Sequence, residues 1–181
     1  MARILALPLL MTVALAAHGC TGKNPYAPGE SLGSFAVTGK LVSTSCGATP
    51  DPWSFEVKLR HEDATLYWVH GGIPISGKVD KTAARVVLKA SETQTVRPAD
   101  AKKKLAACTM SREDTVDLVL SPVTLPLTDL KTATEFKGAL SYRFAAGEAA
   151  DCSDQLLETG GDYAAIPCEV RYELSAKRVG E

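Results

Sequence analysis

The sequence predicts an all-β domain whose antiparallel strands follow one another along the chain and close into a small up-and-down barrel. Three observations favour this fold. Apolar and polar residues alternate with period two in one stretch after another, as they do in strands with one buried face. The connections between most of these stretches are short, which is typical of a meander. Glycines at Gly39, Gly77 and Gly138 fall inside the alternating stretches, where a closing barrel bends or bulges.

About eight or nine strands are expected from this alternation. The clearest is "WSFEVKLR" at 53–60, in which every second residue is apolar. A polar turn at 61–63 joins it to "TLYWV" at 65–69, and the two read as a hairpin. The same alternation predicts the remaining strands at 35–41, 73–79, 84–96, 115–121, 136–146 and 170–176.

Two short stretches favour helix instead of strand. Residues 99–107 are rich in Ala, Lys and Leu and follow Pro98, which is tolerated at a helix start. Residues 148–157 form the other stretch, with Leu156 and Leu157 able to dock on the sheet. Both lie between strands without alternating with them, so a parallel α/β fold is not expected.

A sheet with one apolar face must either close on itself or pack on a second sheet. We therefore expect a small, calycin-like barrel, with a two-sheet β-sandwich as the alternative. About 160 residues would remain after removal of a signal peptide, enough for one domain with a real core.

The N-terminal stretch "LALPLLMTVALAAHGC", residues 5–20, is apolar and ends at a cysteine. It has the length of a signal-peptide core and is too short to span a bilayer. Its last four residues, Ala17 to Cys20, resemble the lipobox of bacterial lipoproteins, with Gly19 as the small residue before the cut. Ordinary secretion, with cleavage after an Ala14-Leu15-Ala16 motif, is the alternative.

The lipobox resemblance implies that cleavage separates Gly19 from Cys20 and that Cys20 carries acyl chains. Residues 1–19 would then be the signal peptide, 20–32 a lipidated cysteine and flexible tether, and 33–181 a single β domain. The partner of Cys20 would be the lipid bilayer, and the protein would be exported and held at the cell envelope. Thr21 follows the cysteine where aspartate would retain a lipoprotein of enteric bacteria at the inner membrane, so the resemblance favours the outer membrane.

Cysteine counting agrees with lipidation. Five cysteines leave one unpaired in an exported protein, and assigning Cys20 to lipid leaves an even four. Those four allow three disulfide connectivities, and disulfides fit an oxidising compartment. From the order of the predicted strands we favour the pairs Cys46–Cys108 and Cys152–Cys168.

A second resemblance covers most of the chain after residue 20. Segments such as "STSCGATPDPWSFEVKL", "CTMSREDT", "FKGALSYRF" and "IPCEVRYEL" are similar to uncharacterised lipoproteins of myxobacteria. The resemblance implies an anchored lipoprotein with four paired cysteines. It implies no activity and no functional residues.

The sequence shows no recognisable catalytic site, so we do not expect an enzyme, and an unrecognised hydrolase is the least favoured class. It lacks an HExxH, a CxxC, a phosphate loop and a GxSxG elbow. His61 and His70 flank the predicted 65–69 strand and should not meet. A net charge of −1 gives no reason to expect a nucleic-acid partner.

No cofactor and no metal site is expected. The acidic residues between Glu148 and Asp162 match no calcium-loop spacing and are read as a solvated loop. Eight-stranded barrels are filled by their own side chains or hold one small ligand. A binding module for a small apolar ligand, lipid or protein partner, and a structural envelope module, therefore both stay open. The side chains that would face a ligand are Trp53, Trp68, Tyr142, Phe144 and Tyr172.

Overall fold

The computed structural model describes residues 24–102 and 104–180. Across these residues the chain forms eight strands, and short single-turn 3-10 helices lie in two of the connections. No helix in the described part is long and apolar enough to cross a membrane. The strands are β1 (Glu30–Thr44), β2 (Trp53–Glu62), β3 (Thr65–Val69), β4 (Ile75–Asp80), β5 (Arg85–Arg97), β6 (Cys108–Ser121), β7 (Glu135–Ala146) and β8 (Cys168–Gly180).

The strands form one closed antiparallel barrel in sequence order. The closing seam joins β1 to β8, where Val37 lies opposite Ala176, while the other edge of β1 pairs Val37 with Phe55 of β2. The predicted up-and-down barrel is confirmed, and the alternative sandwich is wrong because one continuous sheet closes on itself. Closure follows from the alternation, since it removes both sheet edges and encloses the apolar face of every strand.

The half of the barrel that contains the β2–β3 and β4–β5 turns, which we call the lower half, is filled by its own side chains. Phe35 and Phe136 meet across the interior with ring centroids 5.5 Å apart. Leu59, Leu66 and Leu88 are completely buried around them. Burying one side chain of this size contributes roughly 1.5–3 kcal/mol, so this layer supplies much of the stability of the fold.

The two ends of the barrel differ. At the end that we call the base, the turns of β2–β3 and β4–β5 are short, and the longer β6–β7 connection folds over the opening. Leu127, Leu130 and Ala133 of that connection are at most 8% exposed and cap the core. At the opposite end, the mouth, the β1–β2, β3–β4, β5–β6 and β7–β8 connections leave part of the interior open.

The N-terminal segment is held against the base. The guanidinium of Arg60 donates to the carbonyl oxygens of Pro28 and Gly29, at 2.9 and 2.6 Å. Strand β1 begins at Glu30, and Leu32 is 4% exposed. The predicted tether boundary at residue 32 is therefore too late, because a bulge at Ser31–Gly33 turns Leu32 into the core. The predicted signal peptide, Gly19 and Cys20 lie outside the described residues.

The four remaining cysteines form two disulfides, but not the favoured pairs. Cys46 bonds to Cys168 and Cys108 bonds to Cys152, with Cα–Cα distances of 5.0 and 4.8 Å. The prediction of Cys46–Cys108 and Cys152–Cys168 is wrong. Barrel closure brings the end of β1 beside the start of β8, where Thr44 lies opposite Val170. This contact depends on the seam, which spacing along the chain does not show.

The second disulfide has a similar origin in strand pairing. Strands β6 and β7 are neighbours, and the amide of Gly147 donates to the carbonyl oxygen of Thr109 at 2.8 Å. The β7–β8 connection therefore starts beside Cys108 and brings Cys152 onto it. Both disulfides lie at the mouth and tie its connections to the barrel.

The two predicted helices are wrong. Between β5 and β6 the chain turns back on itself with an isolated bridge between Asp100 and Leu105. Between β7 and β8 only single 3-10 turns form, at Ser153–Gln155 and Leu157–Thr159. Aspartate side chains accept from backbone amides two residues ahead, Asp100 from Lys102 and Asp151 from Ser153. Such local bonds compete with helix, and both stretches end at or contain a disulfide.

Candidate functional site

An aromatic cluster occupies the interior at the mouth. The ring of Trp53 lies 5.4 Å from that of Tyr172 and 6.1 Å from that of Tyr142, measured between centroids. Tyr172 is 3% exposed, and its hydroxyl donates to the carbonyl oxygen of Pro50 at 3.0 Å. Three of the five aromatic residues predicted to face a ligand therefore meet in one place.

The other two predicted aromatic residues are not in ring contact with Trp53, but Trp68 packs on Phe55 of the same cluster with centroids 6.0 Å apart. Trp68 is 4% exposed and packs on Phe136, so it forms the floor between the filled half and the mouth. Phe144 packs on Tyr163 of the β7–β8 connection with centroids 5.3 Å apart. The contact between Phe144 and Tyr163 therefore lies at the side of the mouth.

Two members of the aromatic cluster were not among the predicted site residues. The ring of Phe55 lies 4.3 Å from Trp53 and 4.8 Å from His70. The Nδ1 atom of His70 is 2.9 Å from the carbonyl oxygen of Glu56. Phe55 belongs to the alternating face of the 53–60 stretch, so the signal for it was present.

An ion pair faces the aromatic cluster from β6. The Nε and Nη2 atoms of Arg112 donate to the two carboxylate oxygens of Asp114, at 2.7 and 2.9 Å. The guanidinium also lies over the ring of Tyr142, 4.4 Å from its centroid. Sequence reasoning missed this pair because it began the strand at residue 115. Met110, Arg112, Asp114 and Val116 continue the same period, but two of the four are charged.

Burial and the ion pair determine the protonation of the site. Burial raises the pKa of Tyr142 to about 12; the charge of Arg112 opposes that rise, and those of Asp114 and Tyr172 add to it. Burial lowers the pKa of Arg112, but the hydrogen bond and charge of Asp114 outweigh it, so the pKa lies above its ordinary value. At neutral pH the site therefore holds a neutral phenol beside a guanidinium.

A cleft of about 520 Å³ opens between these groups and the wall of the barrel. Its floor is Trp68, Val116 and Leu140, and its polar side is Arg112 and Asp114. A cleft of this size accepts a small molecule or one or two side chains of a larger partner. The residues that complete its lining are His70, Gly72, Ile73, Pro74, Ile75, Ala90, Ser91, Glu92 and Tyr142.

The cleft exists because two neighbouring strands separate. Strand β4 pairs with β5 only at Val79–Val86 and Asp80–Arg85. Above that point the earlier residues of β4 pair only with β3, and the chain before Ile75 leaves the sheet as the β3–β4 connection, while β5 continues toward the mouth. Ile73 on that connection is 84% exposed. The barrel is therefore open along its side as well as at its end.

A second cavity of about 430 Å³ continues the cleft along β5. The two share Glu92 and Arg112, which stand between them. Met110 and Phe144 supply the apolar part of the second cavity, and Gln94 and Asp162 supply polar groups.

The described residues offer no group of three His, Cys, Asp or Glu that could hold a metal ion. In the acidic β7–β8 connection, Asp154 pairs with Arg97 at 3.0 Å and Asp151 accepts from Ser153. His61 and His70 lie at opposite ends of the barrel, as expected: His70 is at the mouth and His61 is at the base, 3.8 Å from Glu30.

Comparison of the chain with protein-family models, with curated proteins and with solved structures found no match. The resemblance to bacterial lipoproteins therefore stays a prediction that depends on the residues around Cys20. The chemistry available at the mouth follows from the side chains that line it.

Proposed function

We propose that this protein is an exported lipoprotein, anchored by an acylated Cys20, whose barrel binds a ligand in the cleft at its mouth. The observation that carries the proposal is the contrast between the two halves of the barrel. The lower half is filled, whereas the upper half encloses a cleft of about 520 Å³ that is open to solvent.

The inward face of β5 makes this contrast plain. Val86 and Leu88 are buried in the filled half, but the next inward residues, Ala90 and Glu92, are exposed in the cleft. A purely structural barrel has no need for inward positions that its own side chains leave open. The open upper half supports a binding role over a structural one.

The lining favours a ligand with both an apolar and a polar part. Trp68, Tyr142 and Ile73 offer apolar surface, whereas Arg112, Asp114 and Glu92 offer charge and hydrogen bonds. A fully apolar lipid would displace water from the Arg112–Asp114 ion pair and from the carboxylate of Glu92 without offering a hydrogen bond in return, which is costly. The mouth is therefore better suited to an amphipathic ligand than to the purely apolar one expected from the aromatic residues alone.

The position of residues 24–30 supports anchoring with the mouth free. The N-terminal segment leaves the barrel at the base, held by Arg60. Nine residues separate Cys20 from Glu30 and span at most about 35 Å when extended. A bilayer that held Cys20 would lie at the base, and the cleft would point away from it. The two disulfides are compatible with export.

Binding can be tested with a matched pair of variants on β5. Ala90→Trp fills the cleft, whereas Val87→Trp adds the same ring to the outer face of the same strand, where Val87 is 41% exposed. With Nile red as the probe, we expect saturable binding to the wild type and to Val87→Trp, and binding at least about tenfold weaker to Ala90→Trp. Equal binding to all three proteins, or none to any of them, would count against the proposed site.

A further inference from the structure

Strand β5 carries a free edge beside the cleft. Residues 91–96 pair with β6 on one side, from Ser91–Glu113 to Thr95–Thr109. On the other side β4 pairs only as far as Val86, so within the described residues this stretch has no strand partner there. In an antiparallel strand alternate residues direct their N–H and C=O groups to opposite edges, so about half of these residues present both groups to the gap.

This edge carries one inward-pointing charge, Glu92, but lacks the other features that usually protect an edge. Exposed edges are commonly blunted by lysine or proline or covered by a loop. The stretch "SETQTV", residues 91–96, contains neither residue, and its Thr and Val favour the extended conformation. Among the described residues, no backbone hydrogen bond joins the β3–β4 connection to this stretch, and Ile73 of that connection is exposed.

The side-chain cavities run parallel to the edge. The inward positions of β5 from Ala90 to Val96 line first the larger and then the smaller cavity, with Glu92 common to both. Six residues of strand extend over about 20 Å. A groove of that length beside a free edge fits an extended chain, which can pair with the edge while its alternate side chains enter the cavities.

The charge of the groove defines the occupant. Its charged lining consists of three carboxylates, Glu92, Asp114 and Asp162, and one guanidinium, Arg112. The guanidinium is already paired with Asp114. Glu92 lies opposite Arg112 in the β5–β6 ladder, but neither Glu92 nor Asp162 forms an ion pair with the described residues. With three carboxylates and one guanidinium, the groove carries an excess of negative charge.

We propose that the cleft receives an extended, basic segment of a protein partner, which adds a strand to the free edge of β5. Main-chain bonds along residues 91–96 hold the segment, and its Lys or Arg side chains lie beside Glu92 and Asp162. This proposal rests on the proposed function of the cleft and names the class of its ligand. Addition of a strand to an exposed edge is a common mode of peptide recognition.

The probe is an octapeptide of alternating threonine and lysine, capped at both ends, with the threonine–glutamate octapeptide as its counterpart. We expect the basic peptide to bind saturably in fluorescence anisotropy and the acidic one to bind at least about tenfold more weakly. Equal binding of both peptides would overturn the assignment of charge. Glu92→Lys should weaken the basic peptide about tenfold, whereas Glu113→Lys, on the outer face at the same level of the sheet, should change it less than about threefold.

Two N-methylated forms of the basic peptide test the added strand directly. One carries the methyl groups on the threonine nitrogens and the other on the lysine nitrogens. Because only one edge of an added strand is paired, one form should lose at least about tenfold in affinity and the other should bind nearly as the parent does. Equal retention or equal loss by both forms would overturn strand pairing.

The dye and peptide experiments together distinguish a failure of strand addition from a failure of the binding cleft. If Nile red binds and Ala90→Trp excludes it, but the basic peptide does not bind, the strand proposal fails and the cleft remains a binding site for a small molecule. If neither probe binds, both proposals fail. Ala90→Trp should also block the basic peptide, and an undiminished affinity would refute the shared site.

Discussion

Arg112 and Asp114 stand two residues apart on the inward face of β6 and are joined by two hydrogen bonds, of 2.7 and 2.9 Å. The pair places charges at two inward positions of β6, where the alternation of the strand predicts apolar side chains. It does so where the barrel is open, so solvent reaches the pair and offsets its desolvation. The mouth is therefore polar on one wall and aromatic on the other.

Tyr142, which packs under Arg112, should make the protein less stable at alkaline pH. Burial is the main cause that raises its pKa to about 12, whereas a phenol in the unfolded chain titrates near 10. Between these values the unfolded state loses a proton that the folded state keeps, so the free energy of unfolding falls as pH rises. The fall should reach about 2 kcal/mol by the upper end of this window.

The measurement is urea unfolding across that pH window for the wild type, Tyr142→Phe and Tyr67→Phe. Other groups titrate there too, so the difference between proteins is the quantity of interest. Tyr142→Phe should show a shallower fall than the wild type, and Tyr67→Phe, on the outer face of β3, should not. Identical slopes in all three proteins would contradict the assignment.

The two disulfides should contribute unequally. Their cysteines are 122 and 44 residues apart along the chain, and on the chain-entropy model both bonds contribute about 4–5 kcal/mol. The longer loop should be worth about 1 kcal/mol more, so the Cys46→Ala, Cys168→Ala double variant should lose more stability than Cys108→Ala, Cys152→Ala. Chemical unfolding measures the difference. Peptide mapping without reductant should recover Cys46 linked to Cys168, and a Cys46–Cys108 peptide would refute this connectivity.

The barrel could be predicted from the sequence because its signal is local and repeated. In each strand the alternation of apolar and polar residues indicates which face is buried. On β2 the apolar residues are Trp53, Phe55, Val57 and Leu59. Short connections then limit the topology to neighbouring strands. Where the alternation includes charged residues the signal fails, and the first half of β6 was missed for that reason.

The remaining errors have two causes: contacts between residues far apart in the chain, and turns that form in place of predicted helices. The connectivity of Cys46 and Cys168 depends on the seam between the first and last strands, which no local pattern contains. Helix propensity misled at residues 99–107 and 148–157, because turns capped by Asp100 and Asp151 replace the helix. The cleft itself arises because β4 begins late and pairs with β5 only at its last two residues, and the length of a strand is a weak signal in any sequence.

Gly138 should tolerate alanine much less well than Gly39 does. A Cβ atom on Gly138 would overlap the backbone carbonyl oxygen of Asp117 on β6. That oxygen can move away only if β6 and β7 separate, which would break the sheet. A Cβ on Gly39 would meet a side-chain carbon of Tyr172 at 3.3 Å, and that ring can shift. Gly138→Ala should therefore cost about 2 kcal/mol more than Gly39→Ala in chemical unfolding. An equal loss of stability in the two variants would mean that β6 and β7 leave room for a methyl group at Gly138.

Cys20→Ser should release the protein from the membrane. If Cys20 carries acyl chains, the full-length protein expressed in a bacterium that processes lipoproteins should sediment with the envelope. Several buried acyl chains, at roughly 0.8 kcal/mol for each methylene, make dissociation very slow. Cys20→Ser cannot form the thioether, so the variant should appear in the soluble fraction or retain an uncleaved signal peptide. The matched control is the Cys108→Ala, Cys152→Ala pair, which removes thiols at the mouth and should leave sedimentation unchanged.

Mass spectrometry of the membrane-extracted protein identifies the chemistry. The expected N-terminal peptide begins at Cys20 and carries the mass of a diacylglyceryl group together with an amide-linked acyl chain. A soluble mature chain that begins at Ala17 with an unmodified Cys20 would contradict the anchor. In that case the cleft would still stand, because its geometry depends only on residues of the barrel. The direction of the mouth relative to a bilayer would then have no basis, since it depends on attachment at the base.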